Sequence, residues 1–158
     1  IMIYIKDDFL TPDEFKSIED MMLSEDFPWY YNDYRTYKDD NDLQFVHGFH
    51  FNGIVQSRYF DVLLPLIKKI DIKSIVKIKA NMTIKGTRCT ELFHTDVPYE
   101  CNTGIFYVND NNGKTKFEDG FVADSKKNRY ISFNSQLKHT GTVHTDTKRR
   151  IVLNFNYF

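Results

Sequence analysis

The stretch SIVKIKANMTI, residues 74–84, decides the fold class of this chain. Its side chains alternate between apolar and polar, the period-2 pattern of a β-strand with one buried face. The apolar face consists of Ile78, Ala80, Met82 and Ile84. The other face consists of Lys77, Lys79, Asn81 and Thr83. The segment therefore predicts a strand that packs a hydrophobic core on one side only.

Strand patterns continue from this segment to the last residue. They are TGIFYVN (103–109), KTKFEDG (114–120), RYISFN (129–134) and RRIVLNFNYF (149–158). The turn sequence DNNG, residues 110–113, separates the first two of them. Many short strands at close spacing are typical of a β-sandwich or a jelly roll.

Two helices precede this region. TPDEFKSIEDMMLSE (11–25) carries a capping-box pattern at its start and apolar residues at helical spacing. SRYFDVLLPLIKKI (57–70) is the second predicted helix, with Pro65 as a possible kink. Short strands are expected at MIYIKDDF (2–9) and LQFVHGFHF (43–51). The prediction is a mainly β fold, a jelly roll with helices packed outside.

Chain length and composition indicate how many domains the chain forms and which partners it disfavours. A chain of 158 residues favours a single domain over 1–158, with N-terminal helices at about 11–70 and a jelly-roll core at about 74–158. Lys plus Arg number 21 and Asp plus Glu number 22, a balance that does not favour nucleic acid or an anionic membrane as partner. The sequence shows no apolar run of roughly 20 residues. With two cysteines and no basic leader, we expect a cytoplasmic protein.

The tripeptide His-Thr-Asp occurs twice, in FHTDV (93–97) and in VHTDT (143–147). A His and an Asp two residues apart on a strand point to the same side. Two His and one carboxylate on one face of a metal suit non-haem Fe(II) chemistry with O₂. Either copy is therefore a candidate for half of a metal site.

Chain order distinguishes the two copies. No histidine follows Asp146, so the second copy lacks a later third ligand. Both His139 and His144 follow the first copy, His94 and Asp96, after intervening strands. We therefore expect the first copy to be the metal-binding one, and the second to be a solvent-facing coincidence that can be mutated with little loss of metal.

The last predicted strand carries an arginine that bears on the choice of third ligand. Arg150 shares one strand face with Val152 and Asn154. A guanidinium inside a barrel is costly unless it meets an anion, and its geometry matches a carboxylate. His139 lies beyond a Gly-containing turn from Arg150, whereas His144 lies within that turn. This arrangement favours His139 and indicates an acidic co-substrate.

These segments resemble the 2-oxoglutarate and Fe(II)-dependent dioxygenases, in the prolyl 4-hydroxylase-like branch. The resemblance covers roughly 75–158. It rests on FHTD (93–96), GIFYVN (104–109), NGKTKF (112–117), ISFNSQLKHTG (131–141) and RRIVLNFNYF (149–158). It implies a double-stranded β-helix, with Fe(II), 2-oxoglutarate and O₂ as cofactor and co-substrates.

The resemblance also implies roles for individual residues. The implied iron ligands are His94, Asp96 and His139. Arg150 and Tyr107 correspond to residues that contact the distal carboxylate of 2-oxoglutarate, and Thr115 to a residue that lines its pocket. The family often has an inward tyrosine on the strand before the first ligand; here Asn81 is the polar candidate in its place.

Other polar residues keep two interpretations. His47 and His50 are either packing residues or part of the substrate entrance. A basic stretch of the sequence either forms a solvated face or attracts a negatively charged substrate. It comprises Lys68, Lys69, Lys73, Lys77, Lys79 and Lys85.

The expected function is hydroxylation of a C–H bond, with a prolyl or other protein side chain as the first substrate class. A nucleic-acid or small-molecule oxygenase of the same superfamily is the enzyme alternative. The demethylase branch normally carries a further Arg after the first, and no Arg follows Arg150. A cupin-like binding module without activity is the third hypothesis, although the chain has no His-x-His motif. The substrate and the oligomeric state are not fixed by the sequence.

Overall fold

The computed structural model describes residues 2–158, and over this range the alternating segment forms the longest strand. The strands are β1 (Tyr4–Lys6), β2 (Tyr30–Asn32), β3 (Gln44–Phe51), β4 (Ile54–Val55), β5 (Ile75–Ile84), β6 (Asn102–Tyr107), β7 (Lys114–Phe117), β8 (Val122–Asp124), β9 (Arg129–Asn134), β10 (His139–Gly141) and β11 (Arg149–Tyr157). The helices are α1 (Pro12–Leu23) and α2 (Leu64–Ile70), and a 3-10 turn (Phe60–Leu63) leads into the second.

The strands form two antiparallel sheets. The larger has the order β1-β9-β6-β11-β5-β3-β2, with β4 paired to β3, and the smaller has the order β10-β7-β8. From β6 onward the chain crosses between the sheets, from β6 to the β7–β8 pair, back to β9, over to β10 and back to β11, as in the predicted jelly roll. The N-terminal segment also supplies strands to the larger sheet, because β1 pairs with β9 and β3 pairs with β5.

The apolar face of β5 packs on the main hydrophobic core. Ile78 and Ala80 are fully buried there, beside residues of the same face of β11. Helix α1 covers this core with Phe15, Ile18 and Met22. The two helices thus lie outside the larger sheet, and the polar face of β5 is left for the space between the sheets.

Helix α1 begins where the sequence predicts. The Thr11 hydroxyl accepts from the Glu14 N–H at 3.3 Å, and the Thr11 N–H donates to the Glu14 carboxylate at 3.1 Å. Both halves of the capping box are therefore present. This start orients the apolar face of the helix toward the sheet.

A second apolar cluster joins the two sheets at one end of the space between them. It comprises Ile105, Tyr107, Phe117, Ala123, Ile131, Phe133, Leu137 and Val152. Its members come from β6, β9 and β11 of the larger sheet, from β7 and β8 of the smaller sheet, and from the loop before β10. This closed end holds the sheets together beside an open cavity.

Three local predictions differ from the structure. The second helix begins later than expected, and Pro65 lies in the first turn of α2, where its missing N–H costs little. The segment KTKFEDG is a strand only to Phe117; Gly120, at φ 93°, turns the chain into β8, which was not predicted. Strands β2, β4 and β10 also have no predicted counterpart, since two or three residues carry no readable alternation.

The core of α1 gives the first testable prediction. Ile18 is 0% exposed, so Ile18→Ala leaves a cavity between α1 and the larger sheet. We expect the free energy of unfolding to fall by about 2–5 kcal/mol, measured by urea denaturation. The control is Ser17→Ala on the exposed side of α1, which should change it by less than about 0.5 kcal/mol. Equal effects would show that α1 does not pack as described.

Candidate functional site

A backbone bridge brings two histidines together. The His94 N–H donates to the His139 carbonyl at 3.1 Å, and the His139 N–H donates to the His94 carbonyl at 3.0 Å. The bridge ties the loop after β5 to β10 of the smaller sheet. As a result the two imidazole ring centroids lie 5.0 Å apart.

Asp96 completes the cluster. Its Oδ1 lies 3.6 Å from His94 Nε2, and its Oδ2 lies 3.7 Å from His139 Nε2. One ligand atom from each of the three residues can be chosen so that all lie within 4.8 Å of one another. In the part of the chain that the structure describes, buried Asp96 Oδ2 has no hydrogen-bond partner.

This geometry fits a metal ion. The nitrogen–oxygen distances are too long for good hydrogen bonds, yet the three possible ligand atoms lie within 4.8 Å of one another. His94 Nδ1 donates to the Leu92 carbonyl at 2.9 Å, which leaves the Nε2 lone pair facing Asp96. Two imidazoles and one carboxylate are the donor set expected of a facial Fe(II) site.

The three groups shift one another's ionisation. Burial raises the pKa of Asp96, but the nearby His94, His139 and Lys77 lower it more, so the net pKa is well below its usual range. Burial lowers the pKa of His94, and Asp96 and the Leu92 carbonyl raise it to a net increase. For His139 burial dominates, and its pKa is lowered. Asp96 is therefore an ionised acceptor between the two imidazoles.

Arg150 forms the second centre of the cavity. Its guanidinium donates to the Ser125 hydroxyl at 3.1 Å and to the Thr115 hydroxyl at 3.3 Å. Thr115 in turn lies 2.7 Å from the Tyr107 hydroxyl. The arginine is 6% exposed, and none of the carboxylates within residues 2–158 forms an ion pair with it. A buried guanidinium with only neutral partners is suited to bind an anion such as a carboxylate.

A second guanidinium lies near the first. A Cβ placed on Gly141 would lie 3.0 Å from Arg35 Nη2 and 3.3 Å from Arg150 Nη1. Gly141 therefore keeps room for both cations on this side of the cavity. The sequence carries no signal for Arg35, because this residue lies in an irregular segment between β2 and β3 where no periodicity marks an inward side chain.

One cavity of about 270 Å³ joins the metal cluster to Arg150. It lies between the sheets, and Thr115, Asn81 and Thr83 also line it. Five of the six sequence-predicted site residues line this cavity: His94, Asp96, His139, Arg150 and Thr115. The sixth, Tyr107, lies behind Thr115, and the two hydroxyl oxygens are 2.7 Å apart.

The second His-Thr-Asp copy is not part of this cluster, but one expectation about it is wrong. His144 is 1% exposed rather than solvent-facing, because the turn that carries it folds back and its carbonyl accepts from the Gly86 N–H. Asp146 is exposed and accepts from the Asn112 N–H at 2.9 Å. The second copy therefore fixes a turn beside the cavity.

The remaining histidines pack against aromatic rings. His47 donates from Nδ1 to the Pro28 carbonyl at 2.8 Å and contacts the ring of Phe27, at 4.4 Å between centroids. His50 lies against Phe60. Neither lines the cavity described above. The packing interpretation is thus the one that agrees with their positions.

The fold is shared with solved structures. A prolyl hydroxylase from Trichoplax adhaerens, in complex with a hypoxia inducible factor oxygen degradation domain peptide fragment, matches 99% of this chain and 83% of its own, with a TM-score of 0.72 and 14% identity. A 2OG-Fe(II) oxygenase family oxidoreductase from Burkholderia pseudomallei matches 98% and 83%, with a TM-score of 0.72 and 12% identity. A prolyl-4-hydroxylase from Pseudomonas putida matches 98% and 91%, with a TM-score of 0.62 and 11% identity.

These likenesses establish the fold. They confirm the predicted jelly roll with flanking helices, in the double-stranded β-helix form of the 2-oxoglutarate and Fe(II) oxygenases. No protein-family model and no curated protein matches the chain. Neither helix in residues 2–158 has the length and apolar character needed to cross a membrane.

The two tripeptide copies provide a matched test of metal binding. We expect Mn(II) to raise the melting temperature of the wild-type protein, because binding to the folded state stabilises it. Asp96→Asn and His139→Gln remove one donor each and should weaken Mn(II) binding by more than about tenfold. The measurement is the melting temperature across a Mn(II) titration.

The control variants are Asp146→Asn and His144→Gln, the same types of change in the second copy. They should retain the Mn(II) affinity of the wild type. A loss in Asp146→Asn as large as that in Asp96→Asn would contradict the assignment of the first copy.

Proposed function

We propose that this protein is an Fe(II)- and 2-oxoglutarate-dependent dioxygenase that hydroxylates a C–H bond of its substrate. One observation supports this most: a convergent His-Asp-His cluster and a buried guanidinium without an acidic partner border the same cavity. The first fits a divalent metal and the second fits a carboxylate. The shared fold agrees with this pairing.

In this proposal His94, Asp96 and His139 hold the iron. When bound, the iron supplies the redox chemistry that couples oxidative decarboxylation of 2-oxoglutarate by O₂, which yields succinate and CO₂, to oxidation of the substrate. The contribution of the protein is to position the ligand side chains. The His94–His139 bridge fixes the backbone positions from which both imidazoles project, and the Leu92 carbonyl, which accepts from His94 Nδ1 at 2.9 Å, orients the His94 ring.

Arg150 binds the distal carboxylate of 2-oxoglutarate. The Ser125 and Thr115 hydroxyls, which accept from its guanidinium, hold the arginine in one orientation. Burial raises the pKa of Tyr107, so its hydroxyl stays protonated at neutral pH and can donate to Thr115, which lines the cavity. This end of the cavity therefore offers fixed donors for one carboxylate.

Part of the cavity wall is apolar. Ile105 and Val152 line the cavity and belong to the cluster that joins the two sheets. Burial of the Arg150 guanidinium strengthens its contact with a carboxylate. The Trichoplax adhaerens structure holds a peptide, so a protein side chain, prolyl among others, is the first substrate class to test here, with small molecules next.

The test is succinate formation. With Fe(II), O₂ and 2-oxoglutarate, the wild-type protein should release succinate, in larger amount when a substrate is present. Arg150→Gln should weaken 2-oxoglutarate binding by about tenfold or more, because a charge-assisted contact in a buried site is lost. Succinate release across a 2-oxoglutarate titration measures this effect.

The matched control is Arg58→Gln, which removes the same charge from an exposed position. It should leave the 2-oxoglutarate dependence as in the wild type, and Arg150→Gln should keep its response to Mn(II). An unchanged 2-oxoglutarate titration in Arg150→Gln would remove Arg150 from the site. If the wild-type protein releases no succinate with any substrate tested, the proposed function is contradicted.

A further inference from the structure

Two lysines line the cavity without a role in the chemistry above. Lys77 and Lys79 lie two residues apart on β5, so their side chains share the inner face of the strand. Lys77 Nζ donates to the backbone carbonyl of Asp96 at 3.4 Å. For these two lysines, the solvated-face interpretation of the basic stretch does not describe the structure. They lie beside the candidate metal site.

Within residues 2–158, neither ammonium group has an acidic partner. Among residues 2–158, five other lysines form ion pairs with carboxylates, but no carboxylate lies within 4.0 Å of Lys77 or Lys79. Burial lowers the pKa of Lys79, and the charge of Lys77 lowers it further, while Asp96 raises it. Two like charges on one partly buried strand face are unfavourable unless an anion lies between or near them.

The charges of the cavity lining are unbalanced. Arg35, Lys77, Lys79 and Arg150 face a single carboxylate, that of Asp96. A divalent metal and the dianion 2-oxoglutarate cancel each other, so their joint binding leaves the excess positive charge in place. The cavity therefore remains suited to a further anion after metal and co-substrate are bound.

Lys77 and Lys79 lie away from the Arg150 end of the cavity. In the register of the sheet Arg150 lies opposite Thr83, whereas Lys79 lies opposite Asn154. Four residues of strand separate these levels, roughly 13 Å along β11. A five-carbon dicarboxylate that contacts both Arg150 and the metal is too short to reach Lys79 as well. The contact of Lys77 with Asp96 places the lysines on the metal side of the cavity.

Unpaired polar atoms accompany the lysines. Within the described residues, Asn81 Oδ1, Thr83 Oγ1 and Asn154 Oδ1 are buried and have no hydrogen-bond partner. All three residues line the same cavity. Native interiors rarely leave buried polar groups without a hydrogen-bond partner. These amide and hydroxyl groups are therefore available to a polar ligand.

We propose that Lys77 and Lys79 bind a carboxylate or phosphate of the substrate, so that the enzyme oxidises a carbon a few bonds from an anionic group. This rests on the proposed function and names the substrate class for it. An acidic substrate is held on the metal side of the cavity, and 2-oxoglutarate on the Arg150 side. Substrate and co-substrate thus use different cations.

The experiment uses the full chain loaded with Mn(II) and saturating 2-oxoglutarate, so that no turnover occurs. Three probes are titrated by calorimetry: inorganic phosphate, N-acetyl-L-aspartic acid α-amide, and the matched neutral N-acetyl-L-asparagine amide. Both anions should bind more tightly than the neutral probe. The tighter anion identifies phosphate or carboxylate as the preferred group.

The variants are Lys77→Met, Lys79→Met and the double change. Methionine keeps the length of the side chain and removes a partly buried charge that pairs with none of the carboxylates in residues 2–158, so the variants should fold. We expect anion affinity to fall by about tenfold or more in the double variant. Lys68→Met, an exposed lysine of α2, is the matched control and should bind both anions as the wild type does.

Several outcomes would overturn this assignment. They are equal anion affinity in the wild type and the double variant, wild-type binding of the anions no tighter than that of the neutral probe, and a fall in 2-oxoglutarate affinity as large as the fall in anion affinity. Failure of the proposed function looks different: the wild type would show no stabilisation by Mn(II) with 2-oxoglutarate. The anion titrations without either ligand would then still report on the lysine pair.

Discussion

The backbone bridge between His94 and His139 is the contact on which the candidate site depends. It joins a loop that follows the larger sheet to a three-residue strand of the smaller sheet. The bridge holds His139 next to the segment that carries His94 and Asp96. It thus brings three ligand residues together although His139 is distant in the chain from the other two. The site is thus a property of sheet pairing rather than of any single motif.

Strand β5 connects this site to the stability of the fold. Its apolar face packs the main core under α1, and its polar face, including Lys79, lines the cavity. Arg150 reaches the same cavity from β11, the direct neighbour of β5. Because side chains alternate along both strands, one register sets the core and the ligand-binding face together. A slip of one residue would bury the lysines in the core.

Much of this architecture was readable from the sequence. Alternation predicted β5, and chain order alone separated His94 and Asp96 from the second His-Thr-Asp copy. The parts that were missed lack a local signal. Arg35 comes from an irregular segment whose side-chain directions depend on tertiary packing, and His144 is buried by a turn that folds back on Gly86. Strand β10 forms only through its pairing with β7 and with His94, both distant in the chain.

The central claim is that the His-Asp-His cluster and Arg150 act as one site for iron and 2-oxoglutarate. The most direct measurement is an anaerobic titration of the protein and Fe(II) with 2-oxoglutarate, followed by visible charge-transfer absorption of the ternary complex. The account predicts an absorption band that saturates at one 2-oxoglutarate per protein and is absent in Asp96→Asn. No band in the wild type, or an equal band in both proteins, would contradict it.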